Sequence, residues 1–374
     1  RLGQEVASLS VRERRLCVVT DSTVAELYSD IVIRQLEPVC KEVNLFVFPA
    51  GEENKNLDTV RNLYEFLIQN HYDRNDMLVA LGGGVVGDLC GFTAATYLRG
   101  IRFIQVPTTL LSQVDSSIGG KTGVDFDAYK NMVGAFHMPQ LVYTAATSLL
   151  TLTEEQFACG MGEVIKHGLI MDADYYEWLQ AHRKEILARD LSVCEQMILV
   201  SCRVKRDVVE QDPTEQGIRG ILNFGHTLGH AIEKLMHFQL LHGQCVALGC
   251  VAAAGLSAKR GEITMEEALH IREVFADFGL PTAIADFGLS REEIGCYVLH
   301  QANQRIVEAV AKRLKEPLGK FPMNLQNYGN TSSASIPILL NELDQSKRLK
   351  TGDRIVMAGF GGGLTWGASI AEWI

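Results

Sequence analysis

The sequence predicts an α/β protein in which a parallel, Rossmann-like sheet precedes an almost wholly helical region. Three observations predict this class. Short β-rich runs alternate with helical stretches over roughly the first 150 residues, a buried strand ends in three glycines at 82–84, and apolar residues at 151–277 recur at three- and four-residue spacing. Alternating strands and helices indicate a parallel sheet, because each helix carries the chain back to begin the next strand. Glycine-rich turns return after Pro281, so the C-terminus is expected to form a further α/β segment.

The predicted elements follow in chain order. Strands are expected at 16–20, 45–48, 77–81 and 101–106, with a helix at 57–70 between the second and third. The run at 77–81 is continuously apolar, which is typical of a strand buried on both faces. A helix is expected from Val85, directly after the glycines. Further on, the pattern predicts helices at 187–209, 245–259 and 306–314 and a strand at 353–358.

Composition excludes several classes of protein. The 374-residue chain has a formal net charge of −10, which disfavours binding to nucleic acid or to an anionic membrane through bulk charge. Nine scattered cysteines without a CxxC pair indicate reduced thiols and a cytoplasmic location. No stretch approaches the roughly 20 apolar residues of a membrane span, so we expect no membrane partner.

Two glycine-bearing segments predict anion binding. The segment 82–88 ends in Asp88 and places glycines where a strand gives way to a helix, whose free N–H groups suit a pyrophosphate. Its spacing is not GxGxxG, and a tight strand-to-helix turn is the alternative. The segment 115–121, followed by Lys130 and Asn131, is a polar loop suited to phosphate or carboxylate, with a solvated surface loop as the alternative.

A histidine segment predicts a metal site. His226 and His230 are four residues apart and would share one helix face, His242 follows twelve residues later, and Glu163 lies upstream. Histidines with one carboxylate are the usual ligands of a catalytic divalent metal. On spacing alone His226 and His230 are equal candidates, and packing or helix capping is the alternative for such a pair. Together these segments suggest a nicotinamide nucleotide, a divalent metal and a polyanionic small substrate.

From about residue 15 to 283 the chain resembles 3-dehydroquinate synthase. The matching motifs are long: 81–88, 99–111, 113–121, 130–136, 163–168, and 223–231 with His242. The resemblance implies an NAD-binding domain at 1–150 and a helical metal- and substrate-binding domain at 151–285. It also implies a homodimer.

The resemblance also assigns roles to residues. It implies Glu163, His226 and His242 as ligands of zinc or cobalt, and it makes His230 a neighbour of the metal. The implied NAD contacts are Glu52, Lys55, Gly84, Gly87, Asp88, Thr108, Thr109, Lys121, Lys130 and Thr151. The implied catalytic and substrate-facing residues are Asp115, Lys121, Asn131, Lys166, Lys205, Arg219, Asn223 and His230.

The implied reaction belongs to the shikimate pathway of aromatic amino acid biosynthesis. It is the cyclisation of 3-deoxy-D-arabino-heptulosonate 7-phosphate to 3-dehydroquinate with loss of phosphate, catalysed by a carbon–oxygen lyase that regenerates its NAD at each turnover. Related sugar-phosphate cyclases use substrates without the carboxylate. The pair Lys205 and Arg219 favours the acid substrate.

From about residue 288 the chain instead resembles the C-terminal end of β-ketoacyl-acyl-carrier-protein synthase III, so a partial thiolase-like segment is expected at 286–374. The motifs are 300–306, 328–335 and 359–367. The resemblance implies that His300 and Asn330 are two members of a Cys-His-Asn triad. Cys296 is a poor substitute for the nucleophile, and a buried core thiol is its simpler interpretation. The alternative function is therefore an inactive or weakly active hybrid chain.

Overall fold

The structure of the protein is a computed structural model that describes residues 1–127, 129–236, 240–283, 293–331, 334–360 and 366–373. The chain divides into two compact units, Arg1–Asn223 and Phe224–Ile374. The division into domains at 150 and 285 stays a prediction. The expected start of the C-terminal segment at 286–292, and residues 332–333 and 361–365 of its motifs, lie outside the described residues.

A five-stranded parallel sheet organises the first unit. The strands of this unit are β1 (Arg15–Asp21), β2 (Glu42–Phe48), β3 (Met77–Gly82), β4 (Arg102–Pro107), β5 (Lys121–Phe126), β6 (Tyr129–Phe136) and β7 (Leu141–Val142). The order in the sheet is β2-β1-β3-β4-β7, and every neighbouring pair is parallel. The Rossmann-like prediction is confirmed. Strand β2 begins three residues earlier than predicted, because Glu42, Val43 and Asn44 still pair with β1.

Both faces of this sheet are covered, as a parallel sheet requires. The helices of the unit are α1 (Leu2–Ala7), α2 (Ser22–Leu36), α3 (Leu57–Gln69), α4 (Gly84–Thr96), α5 (Glu154–Met171), α6 (Ala173–Ala181), α7 (Arg183–Leu187) and α8 (Leu191–Gln211). One core cluster joins α3 and α4 to Cys17, Val19 and Leu78. The other joins α1 and α2 to Val18 and Val79. Alternate strand residues therefore enter opposite cores.

Two local differences from the sequence prediction have clear causes. The helix predicted at 187–209 is interrupted, because Arg189 adopts a φ of 55° and Asp190 caps the N-terminus of α8 by accepting from the N–H of Val193. Lys130 and Asn131, predicted in a loop, lie in β6, which forms an antiparallel hairpin with β5.

The second unit begins with helices and ends with a small sheet. Its elements are α9 (His226–Leu235), α10 (His242–Arg260), α11 (Met265–Asp277), β8 (Ile294–Leu299), α12 (Gln304–Leu314), α13 (Leu325–Tyr328), α14 (Ser335–Gln345), β9 (Arg354–Phe360) and β10 (Trp366–Glu372). In the sheet β9 is central, parallel to β8 and antiparallel to β10. The helices predicted at 245–259 and 306–314 and the strand predicted at 353–358 are confirmed. Among the described residues, no helix combines the length and apolarity that crossing a bilayer requires.

The close packing of α9 against α10 predicts an effect of one glycine substitution. A Cβ on Gly249 would lie 1.9 Å from the carbonyl oxygen of Gly225, whereas a Cβ on Gly255, also in α10, would have no atom within 4 Å. We expect Gly249→Ala to lower the free energy of unfolding by about 2 kcal/mol or more, because backbone must move. Gly255→Ala should raise it by about 0.5–1 kcal/mol through helix propensity alone. Urea denaturation measures both, and equal effects would contradict the packing argument.

Candidate active site and metal centre

The predicted pyrophosphate turn lies at the carboxyl end of β3. Gly83 is the N-cap of α4 and has no side chain that could occupy the first N–H groups of the helix. Thr108 and Thr109 follow β4, the neighbouring strand, and Thr109 lies next to the turn, since a Cβ on Gly83 would be 3.2 Å from the Cγ2 atom of Thr109. Glycines and hydroxyls at one sheet edge form a donor set that fits a dinucleotide phosphate.

A group of charged residues adjoins this turn. The Nζ atom of Lys55 lies 2.8 Å from the Asp88 carboxylate and 3.6 Å from that of Glu52, and Lys130 lies 3.5 Å from the same Glu52 oxygen. Burial raises the pKa of Asp88, and the ammonium of Lys55 opposes that rise. Four of the residues predicted to contact NAD are thus brought together by ion pairs.

Thr151, the last predicted NAD contact, is held by hydrogen bonds at the end of the 3-10 helix Ala146–Thr151. Its hydroxyl donates to the carbonyl oxygen of Ser148 at 3.0 Å and lies 2.6 Å from the hydroxyl of Tyr28. The amide of Gln113 donates to the Ser148 hydroxyl at 2.9 Å and to the carbonyl oxygen of Pro107. This amide connects the end of β4 to the helical turn that carries Thr151.

Asp115 and Lys205 form an ion pair that is largely removed from water. The Lys205 ammonium lies 2.5 Å from Oδ1 of Asp115 and donates to the Asp115 carbonyl oxygen at 2.6 Å. Burial alone would raise the pKa of Asp115, but the charges of Lys205 and Lys166 and the hydrogen bond from Lys205 together outweigh it, and the pKa is lowered. In this structure Lys205 therefore holds Asp115 ionised, and its hydrogen bonds go to the protein.

Helix α5 carries a second buried pair. Glu163 and Lys166, both fully buried, are ion-paired at i and i+3, and Lys166 also donates to the carbonyl oxygen of Leu222 at 2.6 Å. One turn after Glu163 lies His167, also fully buried. Burial and the Lys166 charge lower the pKa of His167 to about 4, so its imidazole is neutral near pH 7. Asp115, Glu163 and His167 each offer a ligand atom within 4.8 Å of the others.

The segment after α8 connects three predicted residues through one carboxylate. Glu215 is ion-paired with Lys121 and accepts from the side-chain amide of Asn223 at 2.8 Å. Burial opposes ionisation of Glu215, but hydrogen bonds from Lys121 and Asn223 lower its pKa overall. Sequence reasoning missed Glu215, because its residue type is common and no spacing singled it out.

Arg219 is buried and bonded to main chain. Its guanidinium donates to the carbonyl oxygens of Pro213 at 2.5 Å and Gly119 at 3.1 Å. Gly119 has a φ of 99°, and a Cβ there would lie 2.6 Å from the guanidinium, so a glycine is required. Arg219 thus fixes the backbone that leads to Lys121, a role beyond the anion contact that the sequence predicts for it.

A cavity of about 350 Å³ lies beside the β5–β6 hairpin. Its lining includes Asp88 from α4, Lys121 and Asn131 from the hairpin, and the apolar side chains of Met132 and Phe136. Predicted cofactor and substrate residues of the first unit therefore border one concave space.

In the second unit, three imidazoles meet. The ring centroids of His226 and His230 are 5.2 Å apart, those of His226 and His242 are 5.2 Å apart, and those of His230 and His242 are 5.7 Å apart. Ring nitrogens of His226 and His242 lie within 4.8 Å of each other, a separation that two ligands of one ion can have.

A carboxylate that sequence reasoning missed belongs to this histidine group. Glu233, buried on α9, lies 3.3 Å from Nδ1 of His230 and 3.7 Å from Nδ1 of His242. With those two histidines it forms a second possible ligand set. Its position at i+3 from His230 on the same helix face was a signal that could have found it.

The predicted triad residues of the C-terminal segment are arranged differently from a nucleophilic site. Nδ1 of His300 lies 2.6 Å from the hydroxyl of Ser335, which also accepts from the N–H of Gln301. Asn330 is exposed. Cys296 is a core thiol packed among apolar residues, and burial raises its pKa to about 11. The simpler interpretation of Cys296 agrees with this environment, since a nucleophilic thiol needs a lowered pKa.

Comparisons with known proteins follow the same division of the chain. The family model described as 3-dehydroquinate synthase N-terminal matches residues 45–159, and that described as 3-dehydroquinate synthase C-terminal matches residues 160–302. The 3-dehydroquinate synthase of Acetivibrio thermocellus is 46% identical over 270 residues, which cover 72% of this chain and 75% of the relative. The chain belongs to the 3-dehydroquinate synthase family. The enzyme of the same name from Pelobacter propionicus is 48% identical over 268 residues, 71% of this chain and 75% of that one.

A solved structure related to the 3-dehydroquinate synthase family shares the fold. It is 2-deoxy-scyllo-inosose synthase in complex with carbaglucose-6-phosphate, NAD⁺ and Co²⁺. It is 27% identical, has a TM-score of 0.72, and covers 78% of this chain and 79% of its own. The relatives are synthases, so this member of the family is an enzyme.

The second resemblance is confirmed as well. The family model described as 3-oxoacyl-[acyl-carrier-protein (ACP)] synthase III C terminal matches residues 284–373, and it overlaps the 3-dehydroquinate synthase match at 284–302. The α/β segment described for the second unit from β8 onward therefore carries the features of another family.

The ion pair between Asp115 and Lys205 predicts a coupled effect on stability. We expect Lys205→Met to lower the free energy of unfolding by about 2–4 kcal/mol, because it leaves the Asp115 carboxylate in a poorly solvated place without its cation. The double variant Lys205→Met/Asp115→Asn should recover most of that loss. Urea denaturation of the single variants and the double variant measures the coupling. Additive losses would show that the pair is not the source of the effect.

Proposed function

We propose that this chain is a 3-dehydroquinate synthase that converts 3-deoxy-D-arabino-heptulosonate 7-phosphate into 3-dehydroquinate with release of phosphate. The observation that carries the proposal is the pairing of the predicted substrate residues within the first unit. Asp115 pairs with Lys205, and Glu215 joins Lys121 to Asn223. Such pre-oriented charges suit a substrate that carries both a carboxylate and a phosphate.

NAD is the proposed cofactor of the first unit. The open N-terminus of α4 would receive the pyrophosphate, and Thr108 and Thr109 would add hydroxyls beside it. The remaining proposed contacts are Glu52, Lys55, Gly84, Gly87, Asp88, Lys121, Lys130 and Thr151. The NAD⁺ in the related 2-deoxy-scyllo-inosose synthase supports this assignment.

The proposal includes one divalent metal, zinc or cobalt, with His226, His242 and Glu163 as its ligands. Two imidazoles and a carboxylate are a donor set of the kind that catalytic zinc prefers. The proximity of His226 and His242 in the second unit and the Co²⁺ in the related synthase support it. His230, which lies beside Glu233, is proposed as a neighbour of the metal.

The chemistry divides between bound groups and side chains. NAD would exchange hydride with a secondary alcohol of the substrate, and the metal would polarise the oxygen of that alcohol. Because NAD is regenerated at each turnover, the net reaction would be that of a lyase. The protein would orient the substrate. Lys205 contacts Oδ1 of Asp115 and keeps the carboxylate ionised, so Asp115 can accept a hydrogen bond from a substrate hydroxyl. Lys205 and Arg219 are proposed to hold the anionic groups of the substrate, and Lys121 is proposed to lie on the NAD side of the pocket. A cytoplasmic homodimer is the proposed form of the enzyme.

The metal assignment predicts the metal content of histidine variants. We expect His226→Ala to lose at least about 90% of its bound metal, because one of few direct ligands is removed. His230→Ala, on the same helix face, should keep it. Elemental analysis of purified protein measures both. Equal content in the two variants would contradict the assignment. Loss of metal in Glu233→Gln and His230→Ala, with retention in His226→Ala, would favour the set of His230, Glu233 and His242.

The catalytic assignment predicts phosphate release that depends on both bound groups. With NAD and metal present, the chain should release phosphate from the heptulosonate phosphate, and chelation of the metal should abolish the release. Sugar 6-phosphates without a carboxylate should be poor substrates, because Lys205 and Arg219 favour an acid. Binding of NAD and metal without any phosphate release would instead support the weakly active or inactive hybrid. The C-terminal match to another family is the observation that favours this second candidate.

A further inference from the structure

The β5–β6 hairpin contains a carboxylate, Asp125, to which the sequence gives no role. It lies where the register between the two strands shifts, between Val124 and Phe126. Its main-chain N–H donates to the carbonyl oxygen of Lys55 at 2.8 Å, and its Oδ1 atom accepts from the main-chain N–H of Asn131 at 2.8 Å. Asp125 therefore contacts two residues that belong to the proposed site.

These contacts close into a ring. The Nζ atom of Lys55 donates to Oδ1 of Asn131 at 2.6 Å, so Lys55, Asn131 and Asp125 are joined pairwise by three hydrogen bonds. Lys55 is itself fixed, since it is almost fully buried and lies 2.8 Å from Asp88 at the glycine turn. The ring thus anchors the hairpin to the cofactor side of the first unit.

The ring decides which end of the Asn131 amide faces the cavity. An ammonium group donates hydrogen bonds and accepts none, so the amide atom beside Lys55 has to be the oxygen. The two N–H donors of Nδ2 remain, and the described part of the chain records no acceptor for them. Asn131 lines the 350 Å³ cavity, and the free donors suit an oxygen of an anionic or hydroxylated ligand.

The backbone of Asn131 needs the support that Asp125 gives. Its φ is 55°, in the left-handed region that a residue other than glycine seldom adopts. The hydrogen bond from its N–H to the Asp125 carboxylate forms where the strand register shifts, and it stabilises this conformation.

We propose that Asp125 is a positioning residue for substrate binding: with Lys55, it holds Asn131 so that the amide N–H groups are presented to an oxygen of the substrate. The inference deepens the proposed function and rests on it, because the ligand of the cavity is taken to be the heptulosonate phosphate. Asp125 acts through Asn131 and does not itself touch the reacting atoms.

The test compares Asp125→Ala, Asp125→Asn and a control in the same hairpin. Asp125→Ala removes the acceptor, whereas Asp125→Asn keeps an oxygen that can accept from the N–H of Asn131. Asp127→Asn removes an exposed charge two residues away. At saturating NAD and metal, Asp125→Ala should raise the KM for the heptulosonate phosphate about 5- to 10-fold and change kcat less than about twofold, as expected for one lost hydrogen bond. Asp125→Asn and Asp127→Asn should stay within about twofold of the parent in both constants.

A second measurement works without catalysis. Amide hydrogen exchange across 121–136 should be faster in Asp125→Ala than in the parent by about 10-fold and unchanged in Asp125→Asn. Unchanged exchange and KM in Asp125→Ala, or equal impairment in Asp125→Asn, would overturn the proposal. If the parent chain releases no phosphate, the proposed function fails, and the exchange comparison still decides whether Asp125 holds Asn131.

Discussion

The first unit depends on the burial of lysine–carboxylate pairs. Lys55 with Asp88, Lys205 with Asp115, and Lys166 with Glu163 each place an ammonium out of bulk water beside an acid. A charge in such a place is costly alone and tolerable only with a partner at close range. Two of these pairs link separate elements, whereas Glu163 and Lys166 both lie on α5. Helix α4 is held to the segment at Lys55, and α8 to the turn at Ser112–Ser116, because separating them would leave charges without partners.

This arrangement explains why so few of the predicted anion-binding cations are available in the structure. Lys205 donates to a main-chain oxygen and pairs with Asp115, the Arg219 guanidinium donates to main-chain oxygens, and Lys121 is ion-paired with Glu215. A ligand that enters the site has to compete with these contacts or add hydrogen bonds to the same groups. Because the side chains are already held in place before binding, less conformational entropy is lost when the ligand binds. The positive charge is local, and it is compatible with a chain whose net charge is −10.

The C-terminal part of the chain matches a different family from the part that precedes it. From β8 onward the chain forms a small mixed sheet between helices, with its own apolar clusters around Val298 and Tyr297. In it His300 is oriented by Ser335, and Cys296 is a core residue. The segment has the packing of a folded element, whereas its thiol lacks the environment of a nucleophile. The segment is therefore packed as a folded element, and its thiol is a core residue.

The sequence by itself determined the parallel sheet, the helical region and the shared face of His226 and His230, because these depend on local periodicity. It also pointed to Lys55, Asp115, Lys166 and Lys205 as residues of interest. Tertiary structure alone decided the partners of Lys55, Asp115 and Lys205, whereas Lys166 meets Glu163 one turn away on the same helix. Glu215 and Asp125 are ordinary acids in the sequence, and each meets its partners only through folding, whereas Glu233 lies one helical turn from His230. For Glu215 and Asp125 the contacts are 70 or more residues away in the chain, at Lys121 and Lys55. Local patterns report which face of an element is apolar, but they carry no information about which distant charge will meet a given carboxylate.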